Sequence, residues 1–234
     1  MMPVAIADCG DSSLRLTATS GDPEQNWELV HHVARWFTAK PGSAVHCVVP
    51  TYDSLLIEFD MVRADHDGVR GQVRLAVSEF AGRGAPRESR RLSVPVVYGG
   101  AFGPDLPAVA AFLGITEQDV IDLHAGRTYT IRCLGGPVGS PMTDGPAFAT
   151  PIPRLDSPRP AVAAGHVSVA GRQATIAPAQ APGGWPLLGR TPLRILDIES
   201  DELVPYRPGD RITYFAIDAD EWDSYAGQRL RALP

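Results

Sequence analysis

From Thr128 onward, every β-rich run of this 234-residue chain is cut short by proline or glycine. "TYTIRC", "AGHVSVAG", "QATIAP", "WPLLG", "PLRILD" and "RITYFAI" follow one another in this way. Short strands between turn signals build a closed barrel or a sandwich, because each strand needs neighbours for its backbone groups and the turns bring them in. The punctuation therefore predicts a β-structure for the C-terminal part.

The first ninety-odd residues are patterned differently. "VAIADC" and "SSLRLTA" predict strands joined at Gly10-Asp11. "GDPEQNWELVHHVARWFTAKPG" predicts a helix: Asp22 caps it, Pro23 suits its first turn, and Pro41-Gly42 ends it. Leu29, Val30, Val33, Trp36 and Phe37 recur at helical spacing. "AVHCVVP" and "SLLIEF" flank the turn "TYD". "DGVRGQVRLAVSEFAG" then sets Val69, Val73, Ala76, Val77 and Phe80 on one helical face. "RLSVPVVY" returns to strand. Without its opening strand, this order is the β-α-β-β-α-β split of a ferredoxin-like sandwich. Composition shifts at "AGRGAPRESRR", and "GGAFGPDL" leads into two short helices, the second capped by Thr116. The reading is an α+β chain of two domains, residues 1–93 ferredoxin-like and residues 94–234 a β-barrel.

Several functions are set aside by composition. A net charge of −6 argues against nucleic-acid or anionic-membrane partners, which call for clustered cations. No apolar run approaches a membrane span, and "MMPVAIADCGDSS" lacks the basic start of a signal peptide, so a cytoplasmic location is expected. Cys9, Cys47 and Cys133 form no CxxC pair, which predicts neither a disulfide framework nor a zinc site. Lys40 is the sole lysine and stands in "FTAKPGS", outside any GxxxxGK[ST] loop. With GxGxxG and GxSxG absent as well, no cofactor-binding motif is recognisable. No metal is expected either. His31-His32 point about 100° apart on a helix, "ADHDG" suits a helix start, and "DADEWD" is too short for a calcium loop.

One stretch invites a ligand reading. In "APGGWPLLGRTPLRILD", Gly183-Gly184 let Trp185 approach other backbone closely, and Arg190 follows Gly189. A guanidinium fork grips carboxylates bidentately, so a partly enclosed Arg190 predicts an anionic partner. The bland alternative is a core tryptophan at a barrel corner, with Arg190 bridging to Asp197 or Asp210.

On "CGDSSLRL", "VPTYDSLLIEFD", "VPVVYGGAFGPDL", "VIDLHAGRTYTI", "PRPAVAAGHVSVAGRQATI", "APGGWPLLGRTPLRILD" and "YRPGDRITYFAI", the chain resembles the allophanate hydrolase subunit 1 family, also named KipI-like or 5-oxoprolinase B subunit. The resemblance covers nearly the full length. It implies a ferredoxin-like N-terminal domain and a cyclophilin-like β-barrel. It also implies a carboxyltransferase-like second subunit of the allophanate hydrolase subunit 2 type. With a further partner, such assemblies open 5-oxoproline to glutamate at the expense of ATP. The expectation is a hydrolase subunit with a small-molecule pocket. Arg190 would hold the carboxylate, Gln173 the amide, Trp185 and Tyr129 the walls, and His124 would be the catalytic acid or base. The alternatives are a stand-alone enzyme with a re-tailored barrel pocket, or a KipI-like kinase-inhibitor module. Where the family typically has the loop G-F-x-P-G-F-x-Y, this chain reads "CLGGPVGSPMTDGPAF", placing Gly136, Ser140 and Met142 near expected aromatics. Ala177 replaces a tyrosine and Ala101 an acid. Fewer aromatic walls predict a wider pocket.

Overall fold

The computed structural model describes residues 2–80, 89–136 and 138–233, so most of "AGRGAPRESRR" lies outside the described residues. The chain divides into two compact units, Met1–Arg87 and Glu88–Pro234. The first contains β1 (Val4–Asp8), β2 (Ser13–Ala18), α1 (Pro23–Thr38), β3 (Val45–Pro50), β4 (Ser54–Phe59) and α2 (His66–Ser78). Its antiparallel sheet runs in the order β1-β2-β4-β3. Alternation along β2 and β4 buries Leu14, Leu16, Leu55, Ile57 and Phe59 on one face. Onto that face pack Leu29, Val30, Val33 and Phe37 of α1, with Val69, Val73, Ala76 and Val77 of α2. α1 starts where its cap requires. The Asp22 carboxylate accepts the Glu24 and Gln25 N–H groups at 2.9 and 3.3 Å. Trp36 is only half-buried, and its indole N–H donates to Glu79 at 2.8 Å.

The strand expected to complete this sheet goes elsewhere. β5 (Arg91–Tyr98) pairs within the second unit, and β1 holds the edge beside β2. Burial explains the exchange. Residues Val94 to Val97 of β5 are buried in succession, so both of its faces need cover. A sheet covered on one face cannot supply that. β1 exposes most of its residues and suits an open edge.

The second unit continues with α3 (Leu106–Leu113), α4 (Glu117–Ala125), β6 (Thr128–Gly135), β7 (Ser140–Asp144), β8 (Arg159–Val162), β9 (His166–Ala170), β10 (Gln173–Ile176), β11 (Ala181–Gly183), β12 (Leu187–Arg190), β13 (Arg211–Ala216), α5 (Trp222–Tyr225) and β14 (Ala232–Leu233). Seven strands close a barrel in the order β12-β9-β10-β7-β6-β13-β5, with β5 returning to β12. β5 and β13 are parallel, and β14 adds to β5. β8 and β11 form a separate two-stranded ribbon. The barrel interior is packed solid with Val94, Val96, Ile131, Val167, Val169, Ala174, Ile176, Leu188, Ile212 and Tyr214. The Thr116 hydroxyl and Asp119 exchange hydrogen bonds at the start of α4, as their spacing predicts.

Closure depends on Gly189, which pairs with Tyr98 of β5 and Val167 of β9. A Cβ at this position would sit 2.6 Å from both the Val97 carbonyl oxygen and Val96 Cγ1. Gly189→Ala should therefore lower stability by about 1–3 kcal/mol, as overpacking in a closed core does. The measurement is the urea midpoint at unchanged slope. A midpoint equal to that of the parent protein would show that β12 and β5 have room to separate.

Candidate functional site

Alternation determines where a site can exist in this barrel. Val167, Val169, Ala174 and Ile176 point inward, so Ser168, Thr175 and Ala177 face out. The β8–β11 ribbon and the residues leading into it lie over that outer face. Between them is a cavity of about 580 Å³, within the range of small-molecule sites. Its floor is Ser168, Thr175, Ala177, Met142 and Leu187, and its roof is Pro158, Val162 and Ala181 to Gly184. Gly135, Gly136 and Ser140 of the β6–β7 hairpin form one side.

The charged group on the wall is Arg154, whose guanidinium lies 6.0 Å from the centre of the Trp185 ring. The backbone brings them together: the Leu155 N–H donates to the Gly184 carbonyl at 2.8 Å. Asp105 anchors the neighbouring strands, accepting the Leu187 N–H and Arg159 Nη2 at 2.7 Å each. Arg154 has no ion pair among the described residues. An indole face beside an uncompensated guanidinium favours a flat or carboxylate-bearing guest.

Of the residues expected at the site, only Trp185 lines this cavity. Arg190 lies beyond it, paired with His166 while Leu187 is paired with Ser168 at the cavity floor. Its Nε donates to the Ala164 carbonyl at 2.9 Å, and its guanidinium lies 5.5 Å from the Trp222 ring centre. The expected alternatives to a ligand are absent too: Asp197 bonds Arg194 and Arg229, and Asp210 bonds Arg90. Gln173 stands at the β9–β10 turn, opposite Ala170 and Asp144, outside the lining.

His124 and Tyr129 are core residues. The His124 ring is enclosed by Tyr98, Tyr129 and Tyr214, and Nδ1 lies 2.7 Å from the Tyr98 hydroxyl. The Tyr129 hydroxyl donates to the His124 carbonyl at 2.7 Å. Neither residue touches the cavity, so the acid–base and wall roles expected for them lack access to a substrate there. Sequence reasoning missed Arg154, which sits in "TPIPRLDSPRP"; the available signal was an arginine held among four prolines. Among the described residues no group of three or more His, Cys, Asp or Glu side chains is placed to hold a metal, and no helix is long and apolar enough to cross a membrane.

A family described as "Carboxyltransferase domain, subdomain C and D" matches residues 4–206. The 5-oxoprolinase B subunit of Bacillus subtilis (strain 168) is 30% identical over 230 residues, covering 94% of this chain and 95% of the relative. The chain belongs to the family of 5-oxoprolinase B subunits. The crystal structure of TTHA0988 superposes on this family member with a TM-score of 0.76 at 30% identity, covering 89% of the present chain and 40% of that one. The Kluyveromyces lactis urea carboxylase shares the fold, with a TM-score of 0.73 at 18% identity over 94% of this chain and 22% of its own. Within the family pattern, the departures at Gly136, Ser140, Met142 and Ala177 all fall on the cavity wall. Ala101 does not.

His124 gives a pH test of its assignment to the core. Burial holds its imidazole down to about 3, from an ordinary value of 6.5. The unfolded chain then binds a proton that the folded chain refuses. This contribution to stability is complete above pH 6.5 and is lost as pH falls from 6.5 toward 3, by roughly 1.4 kcal/mol per pH unit. Imidazole NMR on the folded protein should show His124 neutral at pH 5. Titration near 6.5 would place the ring in contact with water.

Proposed function

We propose that this chain is the B subunit of a 5-oxoprolinase-type complex, an ATP-dependent hydrolase that opens an amide or lactam. Its roofed cavity binds the carboxylate of the substrate through Arg154, with Trp185 flanking. The observation that carries this reading is the exposed Arg154 guanidinium, without an ion pair among the described residues, on a cavity wall whose other described lining side chains are uncharged.

The lining also separates a subunit from a self-sufficient enzyme. Described residues lining the cavity include no histidine, carboxylate, lysine or cysteine. Ser140, Ser168 and Thr175 supply hydroxyls without a base to activate them. The chain therefore binds and orients, while the nucleophile, proton carriers and ATP-handling loops come from partners. The expected partner is a carboxyltransferase-like second subunit of the allophanate hydrolase subunit 2 type, acting in the cytoplasm. In this reading the first unit is a ferredoxin-like variant in which β1 takes the closing-strand position, and the second is a cyclophilin-like barrel.

Reconstitution tests the proposal. Co-expressed with its carboxyltransferase-like and ATP-using partners, the chain should support ATP hydrolysis that depends on added 5-oxoproline. Alone it should be inert. Arg154→Gln should raise KM about tenfold or more with a smaller change in kcat, because a charge-assisted contact to the bound substrate is removed. A reconstituted assembly whose ATP hydrolysis ignores 5-oxoproline would end this reading.

A further inference from the structure

The cavity is large for one small ring. A dry cavity of about 150 Å³ accommodates benzene, whereas this one measures about 580 Å³. A five-membered lactam acid anchored at Arg154 would leave most of the volume unfilled. The space cannot close by a simple inward shift of its floor. Ala177 is fixed on both sides, its N–H donating to the His166 carbonyl at 2.9 Å and its carbonyl accepting the Gly165 N–H at 2.8 Å. Its methyl is all that the chain presents at that point. Met142 and Val162 line the same space with apolar, polarisable surface. Ser168 and Thr175, directly opposite each other across β9 and β10, offer hydroxyls to an amide.

We infer that the cavity takes an N-acyl amino acid or lactam acid carrying an aryl-sized apolar group beyond its amide, and that 5-oxoproline alone underfills it. This rests on the reading of the cavity as a carboxylate site. The carboxylate pairs with Arg154 beside Trp185, the amide meets the Ser168–Thr175 pair, and the aryl group occupies the space over Ala177 and Met142. No covalent step is involved in this recognition.

Calorimetric titration of the full chain with N-benzoylglycine, 5-oxoproline and benzamide tests the assignment. N-benzoylglycine should bind about tenfold or more tightly than 5-oxoproline, the gain expected from filling apolar space. It should also bind more tightly than benzamide, which has the ring and amide but lacks the carboxylate. Arg154→Gln should bring N-benzoylglycine toward benzamide. Ala177→Phe should erase the preference over 5-oxoproline, with the melting temperature reporting that the variant is folded; if it is not, Ala179→Phe, at a second alanine lining the same cavity, serves the same purpose. Equal or tighter binding of 5-oxoproline, no binding of N-benzoylglycine at millimolar concentration, or a preference unmoved in a folded filling variant would overturn the inference. The two readings fail separately. Preference for 5-oxoproline together with 5-oxoproline-dependent ATP hydrolysis leaves the subunit assignment standing. Tight N-benzoylglycine binding by a chain whose assembly ignores lactams removes the assignment and keeps the pocket.

Discussion

The missing side chain at Gly189 is the constraint on which the second unit depends. β12 must lie against β9 on one side and β5 on the other, and at that crossing there is no room for a Cβ. Once β12 is seated, Leu188 enters the core and Leu187 meets the outer cavity. The same strand is held from outside by Asp105, at the start of α3. One carboxylate oxygen takes the Leu187 N–H and the other takes Arg159 of the roof ribbon. A carboxylate this enclosed is tolerable because both oxygens receive strong donors. Barrel closure and cavity roof are thus tied to consecutive residues of one short strand.

Much of this was legible in the residues. Period-two and helical spacings located the elements of the first unit, since one-sided burial writes itself into sequence as alternation. The caps at Asp22 and Thr116 were equally plain. The membership of β5 was not, because element order does not say which sheet a strand joins. Its four consecutive buried residues carried the clue. At the site, Gly183, Gly184 and Trp185 stand together on the cavity wall, while the arginine expected beside the ring lies elsewhere and Arg154 takes that place. A register shift between Leu187 and Gly189 carries Arg190 along β9 to His166 and the Trp222 ring. Arg154 arrives through a tertiary backbone hydrogen bond from Leu155 to Gly184, a contact with no local signature.

Arginine is used here in two ways. Arg90, Arg132, Arg159, Arg194 and Arg229 are bonded to aspartates within the second unit, where their planar forks act as clamps. Arg154 and Arg190 are not so engaged among the described residues. Arg190 rests against an indole while its charge, after burial, helps hold the neighbouring His166 imidazole below its ordinary value. Of these two, Arg154 is the one that lines the cavity. In a chain of net charge −6, an anion would be drawn there by local geometry and not by the overall field.

A filled barrel directs function to its outside. With the interior occupied by aliphatic and tyrosine side chains, a guest is held outside the barrel, and the β8–β11 ribbon covers one stretch of its outer face. Walls contributed by a hairpin and a ribbon can change side chains without disturbing the core, since floor residues such as Ala177 and Thr175 alternate with core residues such as Ile176 along the same segment. The price of that freedom is chemical. The His124 imidazole, which could otherwise move a proton, is sealed among tyrosines and kept neutral by burial. Among the described residues the cavity wall offers a guanidinium and hydroxyls and no base, which fits a subunit whose reactive groups are proposed to lie on another chain. That is the physical basis for reading this barrel as part of a larger enzyme.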